Sequence, residues 1–290
     1  MPDPRTALDV RITARLRAAL LEAFAQLQAG ASRDALGHLL SAGVLTRSAL
    51  SQALEALPAI LQRAAAPLVT AATLDSAHIE LQALARVHLD VSYTAVNPHA
   101  VAAAATQAGR LITRITAATR ENIQRVIAWS IQVGLPPADA AALIRPMIGL
   151  TPQQGAAVIN YRARLLADSP ESIDVAGLDQ AVTRYTARLL TQRATTIART
   201  ETIDALTSGQ RTSWTVAQQQ GVLSPTAKKE WIVTPDDRLC PLCKQMTGKA
   251  VLIAENFLTP LGPKPGPTMH ANCRCALALQ LASLALRAAA

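Results

Sequence analysis

The sequence predicts a mainly α-helical protein that ends in a small C-terminal α+β module built on a short antiparallel sheet. Three observations lead there. Ala and Leu, both strong helix formers, dominate a chain of 290 residues that is 50% hydrophobic but only 3% aromatic. Apolar residues recur every three or four positions until Gly221, after which the spacing changes to alternation. All four cysteines then fall between residues 240 and 275. The segments divide as 1–133, a helical N-terminal docking region, 134–220, a helical lead-in, and 221–290, a β-containing Cys/His module with an apolar tail.

The elements follow in order. Ile12, Leu16, Leu20, Phe24 and Leu27 line one face of a first helix, and Gly30 suits its end. Ser32 and Thr46 are N-cap candidates for short helices. A helical stretch runs from about Leu57 to His88, and "VNPHA" at 96–100 breaks it. Leu111, Ile115, Ile123, Val126, Ile127 and Ile131 mark a long helix closed by Gly134, and "GLPPADAAALI" starts another. In "LTPQQ", Thr151 caps, Pro152 fits the first turn, and Gln154 stands where a capping box places Glu or Gln. Ser169 and Pro170 repeat the arrangement ahead of a helix reaching about Gln220. "KEWIVT" alternates as a strand, with "AVLIA" (250–254) and "RCALALQ" (274–280) as its partners. "TPLGPKPGPTM" has too much Pro and Gly for a helix and predicts a stiff, extended loop.

The formal charge is +8. Its density is higher after residue 190, and all five lysines follow residue 227. Ordinary solubility accounts for such a balance, as does attraction to phosphate or to an acidic protein surface. With no long basic run and no aromatic RNA-binding signature, any nucleic-acid contact is to the backbone and not sequence-specific. Arg, Gln or Glu interrupts the apolar stretches short of the ~18 residues of a span, and the start lacks a secretory apolar core, so no membrane partner is expected.

Cys240 and Cys243 form C-x2-C on a turn opened by Pro241, while His270, Cys273 and Cys275 form H-x2-C-x-C. Thiolate and imidazole suit tetrahedral zinc, and a structural zinc cross-link would fix a Pro/Gly-rich loop that burial alone cannot. Five candidates compete for four positions, with His270 and Cys273 the weaker two. Disulfides are the competing reading. Cysteine nucleophile chemistry fits poorly, because nothing orients His270 as a base.

On a helix, Ala194, Ile197, Ala198, Glu201 and Ala205 share a face, while Arg199 points away from Glu201. Read alone, Glu201 is an ordinary surface acid. However, "RATTIARTET", then "KEWIVTPDDRLCPLC", Gly248, Phe257 and "HANCRC" together resemble the phage Mu protein F-like family of head morphogenesis (minor capsid, minor head) proteins. The matching pieces are the Ala198-Arg199-Thr200-Glu201 core, the run from Asp236 or Asp237 to Cys243, and the H-x-N-C-R-C ending. The helical lead-in from residue 134 is also similar, so the resemblance covers about 135–275. Ala271 departs from the Pro often found there, which loosens the turn before Cys273 and leaves the candidate ligands in place.

The resemblance implies a non-enzymatic virion component of a tailed phage or prophage. It would assemble in the host cytoplasm and reside at the head interior or portal vertex. Its implied partners are the portal protein and the major capsid or scaffold protein, with a part in DNA packaging or delivery. Residues 1–130 would dock, and the module after residue 190 would fold by itself around zinc. It also singles out Arg199, Thr200, Glu201 and Arg274, with Glu201 expected to be buried and paired to Arg274. Two alternatives belong to other classes. A toxin-like transferase or nuclease would need an E-x-E pair at Glu201 or paired carboxylates beside a His. A zinc-ribbon nucleic-acid binder would need an Arg/Asn-studded helix after the metal module.

Overall fold

The computed structural model describes residues 4–31, 54–87, 89, 98–168 and 175–280. Among these, helices α1 (Pro4–Gly30), α2 (Ala56–Ala85), α3 (Pro98–Gln132), α4 (Pro137–Met147), α5 (Pro152–Asp168) and α6 (Val175–Gln219) come first. Then follow β1 (Lys228–Ile232), the one-turn helix α7 (Pro241–Lys244), β2 (Ala250–Leu252), β3 (Phe257–Thr259), β4 (Gly262–Lys264) and β5 (Ala276–Leu279). The protein is mostly helical with a small antiparallel sheet at its C-terminal end, as the sequence predicts.

Local chemistry explains the element boundaries. Ile12, Leu16, Leu20, Phe24 and Leu27 are all buried, so the predicted stripe of α1 is its core face. Pro98 opens α3, where a fixed φ and a missing N–H carry little penalty. Gly134, at φ +66°, follows the end of α3. The capping box at α5 is complete: the Gln154 N–H donates to Thr151 Oγ1 at 3.3 Å, and the Thr151 N–H donates to Gln154 Oε1 at 3.1 Å. The cap candidates Ser32, Thr46 and Ser169, with Pro170, lie outside the described residues.

The chain gathers into two compact units that cut across the segment boundaries expected at 133/134 and 220/221. One unit holds Met1–Leu16, Ala66–Ala108 and Thr196–Ala290, and the other holds Arg17–Ala65 and Gly109–Thr195. In the second unit, the Gln28 amide donates to the Pro146 carbonyl at 3.1 Å and Arg145 Nε returns a bond to the Gln28 carbonyl at 2.8 Å. Gln154 Nε2 reaches the Leu189 carbonyl at 3.2 Å, and the rings of Tyr161 and Tyr185 stack at 4.5 Å.

In the first unit α2 packs tightly on α6. Ser76 Oγ donates to the Leu206 carbonyl at 2.7 Å, and Ser213 Oγ to the Ala77 carbonyl at 3.0 Å. Buried Glu80 accepts the Trp214 indole N–H at 2.8 Å and pairs with Arg5. By length and mean composition α2 could nonetheless cross a bilayer. Ala, Leu, Val, Thr and Pro67 run from 64 to 74 between Arg63 and Asp75, so the charge-free run stops short of the ~18 residues of a span, as expected. With Glu80 buried among polar partners, α2 serves as a core helix, and such a helix is weak evidence for a membrane.

The sheet order is β2-β1-β5, both pairs antiparallel, with Glu230 opposite Ala250 and Trp231 opposite Leu277. The segment expected to be an unpaired loop instead folds partly into a β3–β4 hairpin, with Leu258 opposite Pro263. A two-stranded ribbon has outer edges, and there a proline lacking its N–H is tolerated. Buried Phe257 anchors this hairpin, meeting Trp231 edge-on at 5.3 Å between ring centres.

Candidate metal centre

Two short segments of the first unit bring the sulfur ligands together. Cys240 is the N-cap of α7 with an extended backbone, and its Sγ accepts the Cys243 N–H at 3.3 Å. Pro241 occupies the first helical position, and one turn carries Cys243 into the core at 3% exposure. The second segment, 270–275, turns just ahead of β5. The Cys273 N–H donates to the His270 carbonyl at 3.2 Å, and Asn272 takes φ +59°, a left-handed conformation that Asn tolerates better than most residues. Cys273 and Cys275 both precede β5, which begins at Ala276, and both are buried.

His270 Nε2 lies 3.1 Å from both Cys240 Sγ and Cys243 Sγ. Cys243 Sγ stands 3.8 Å from Cys273 Sγ. Among the described residues two donor triads result, Cys240–Cys243–His270 and Cys243–Cys273–Cys275, and they share Cys243. All five candidate ligands therefore converge, including His270 and Cys273, the two the sequence favoured less. The four cysteines are free thiols.

The donor set suits a soft or borderline cation. Two sulfurs bound to one tetrahedral zinc at ~2.3 Å stand about 3.8 Å apart, the Cys243–Cys273 separation. A cavity of about 30 Å³ lies against Cys240, Cys243, His270, Cys275, Arg238 and Arg274. The protonated Nδ1 of His270 donates to its neighbour's carbonyl, Ala271 O, at 2.7 Å, which leaves Nε2 as the lone-pair donor facing the thiols. A larger cavity of about 190 Å³ in the other unit, beside Ala23, Ile60 and Arg63, has no comparable donor set.

Proton affinities within the cluster are spread apart. The hydrogen bond from Cys275 holds Cys273 down to about 5. The same contact, with burial, pushes Cys275 up. Burial pushes Cys243 up to about 12. At Cys240 burial opposes ionisation, but the Cys243 N–H and His270 outweigh it and lower the thiol. His270 is raised: burial works against its charged form, and the Ala271 carbonyl and the neighbouring thiolates prevail. A cluster in which one thiolate is already favoured beside an imidazole can exchange its remaining protons for a metal ion.

The other motif residues hold this loop in place. Arg274 grips Asp236 through both guanidinium nitrogens, one contact at 2.6 Å, and its carbonyl accepts Thr234 Oγ1 at 2.8 Å. The Asn272 N–H donates to Thr200 Oγ1 at 3.1 Å, and Asn272 Nδ2 to Thr196 Oγ1 at 3.3 Å. The Ala-Arg-Thr-Glu helix thus touches the H-x-N-C-R-C loop through its threonines, one turn apart on α6. Glu201 is buried at 3% exposure, as expected. Its expected partner is corrected, because Arg274 pairs with Asp236 instead. On α3, Gln107 Nε2 reaches the Glu201 carbonyl at 2.9 Å and its carboxylate at 3.5 Å. Arg199 is exposed on the opposite face and acts on Asp9 of α1 through its charge.

Sequence reasoning passed over Thr196, Asn272 and the role of Asp236. The signals were present: threonines four apart on a helix, and an Asn in a tight turn between two ligands. It also passed over Lys229, which is buried under the Phe257 ring at 5.5 Å and pushed down to about 8, by burial first and by Arg211 second.

A family model described as "Phage Mu protein F like protein" matches residues 121–278, more than half of the chain and every motif residue named above. No curated protein and no solved structure matches the chain.

Proposed function

We propose, from the premise that the chain belongs to the phage Mu protein F-like family, that it is a structural protein of phage head morphogenesis in which zinc holds the C-terminal loops. In this reading the protein is a minor head component of a tailed phage or prophage. It resides at the portal vertex or head interior, with the portal and the capsid or scaffold protein as partners. Its basic balance of +8 suits contact with the DNA backbone during packaging or delivery.

The observation that carries the reading is the convergence of the family motifs on one another. Thr200 of the helix motif holds Asn272, Asp236 of the D-x-x-x-C run holds Arg274, and the loop between carries His270, Cys273 and Cys275. These residues serve the cysteine cluster's geometry, which is what a structural staple needs. Four of the five donors, Cys240, Cys243, His270, Cys273 and Cys275, would hold the ion, and the ion would supply cross-linking.

Two measurements test this. Protein purified without chelator should carry about one zinc per chain by elemental analysis. Chain tagged and expressed with its own phage genes should co-purify with portal protein and appear in heads. Metal-free protein of undiminished stability would end the zinc reading. Absence from purified heads would end the morphogenesis reading.

A further inference from the structure

Trp231 lies at 0% exposure, and its indole N–H has no hydrogen-bond partner within normal bonding geometry. A buried N–H without an acceptor costs about 1–3 kcal/mol, so its surroundings matter. In the β1–β5 ladder Trp231 stands opposite Leu277. Side chains two apart on an extended segment point the same way, so Cys275, two before Leu277, shares the face that Trp231 occupies. Trp231, Cys275 and Leu277 belong to one buried cluster, at 0%, 3% and 2% exposure.

We propose that the Trp231 indole N–H is the hydrogen-bond donor to the Cys275 sulfur, a positioning contact that orients this thiolate toward the metal. A fixed N–H on one lone pair of a thiolate leaves the others directed at the ion and withdraws charge from the sulfur. Outer contacts of this kind typically change metal affinity by about 10–100-fold. Phe257, edge-on to Trp231, holds the indole plane so that the N–H cannot swing away. The hydrogen bond itself needs only Trp231 and Cys275. The metal-directing role rests on the zinc reading above.

The test uses the full chain with ¹⁵N-labelled tryptophan, the Trp231 indole signal being the one missing from W231F. The first arm compares wild type with C275A. The Trp231 indole proton should move upfield while those of Trp129 and Trp214 stay in place, and an unmoved Trp231 proton overturns the proposal. The second arm loads the protein with ¹¹³Cd, where a scalar coupling between the metal and the Trp231 indole proton is expected. Full loading with no coupling overturns the metal-directing role. Failure to load at all overturns the zinc reading instead, and the first arm still decides the hydrogen bond. The third arm replaces Trp231 with benzothienylalanine, which keeps the ring shape and removes the N–H. Cadmium affinity in chelator competition should fall about tenfold, and unchanged affinity counts against the proposal.

Discussion

The backbone N–H of Asn272 donates to Thr200 Oγ1 across 3.1 Å, fastening the loop of His270 and Cys273 to α6. Thr200 Oγ1 in turn donates to the Thr196 carbonyl at 2.8 Å, so a single hydroxyl serves both the helix and the loop. Thr200→Val keeps the shape and loses the acceptor. It should lower stability in urea denaturation by about 0.5–1.5 kcal/mol and speed metal loss to a chelator, while Thr200→Ser retains most of both. Equal metal release from the Val and Ser variants would remove the loop-fastening role.

At Gly209 of α6, an added Cβ would stand 2.3 Å from the Thr73 carbonyl oxygen and 2.9 Å from the Ala77 nitrogen of α2. The obstacle is backbone and cannot rotate away. Gly209→Ala should therefore cost about 3 kcal/mol, seen as a lower urea midpoint. Gly109 of α3 is the contrast, because nothing lies within 4 Å of the same added atom. Gly109→Ala should stabilise by about 0.5–1 kcal/mol. If the two variants moved the midpoint alike, the close α2–α6 approach would be wrong.

Lys229, opposite Leu279 in the ladder, holds a cation where an apolar side chain would cost less. Its folded pKa, about 8, lies below the ordinary 10.5. Below pH 8 both states are protonated and the burial penalty is present in full. Between 8 and 10.5 the unfolded state binds more protons, so this group's contribution to stability rises with pH. Lys229→Met should stabilise at pH 7 by about 1–3 kcal/mol. The difference between variant and wild type should shrink from pH 8 to 10. A constant difference across that range would show that Lys229 is not desolvated.

The Arg274 guanidinium beside Asp236 holds that carboxyl below its ordinary 3.8. A depressed carboxyl contributes stability above its unfolded pKa and loses it as pH falls through the folded value, so the window opens near 3.8 and extends downward. Asp236→Asn should melt lower than wild type at pH 7 and lose less on acidification below 3.8. Parallel melting curves for the two proteins from pH 5 to 2 would contradict the pairing.

Much of this was legible because it is local. The stripe of α1, the Thr151–Gln154 box and the turn at Pro241 depend on residues a few positions apart, where one spacing has one geometric meaning. The Cys/His cluster was legible by chemistry, since five soft or borderline donors fall within 36 residues, Cys240 to Cys275. Pairings across the chain were not. Strand alternation places Arg274 away from the cysteines, but only the fold decides whether Asp236 or Glu201 meets it. Alternation likewise puts Lys229 on the Trp231 face, while the burial of that face depends on α6 and on the hairpin at Phe257. The hairpin escaped because its prolines argue against central strands and have less to say about edges.

The discontinuous make-up of the first unit has a consequence for biosynthesis. Leu84 and Leu277 share one buried cluster. At roughly 5–20 residues per second the ribosome needs about ten to forty seconds to travel from one to the other. Throughout that interval the native cover of the nascent α2 is incomplete, since α6 arrives partway through it and β5 last. Completion waits on β5, because Gln210 reaches back to the Leu277 carbonyl at 3.3 Å. The unit thus closes only once β5 and the cysteine loop ahead of it have been made. A frameshift near codon 270 would therefore release a chain in which Leu84, Trp214 and Trp231 lack the part of their cover that Cys273, Cys275 and Leu277 supply.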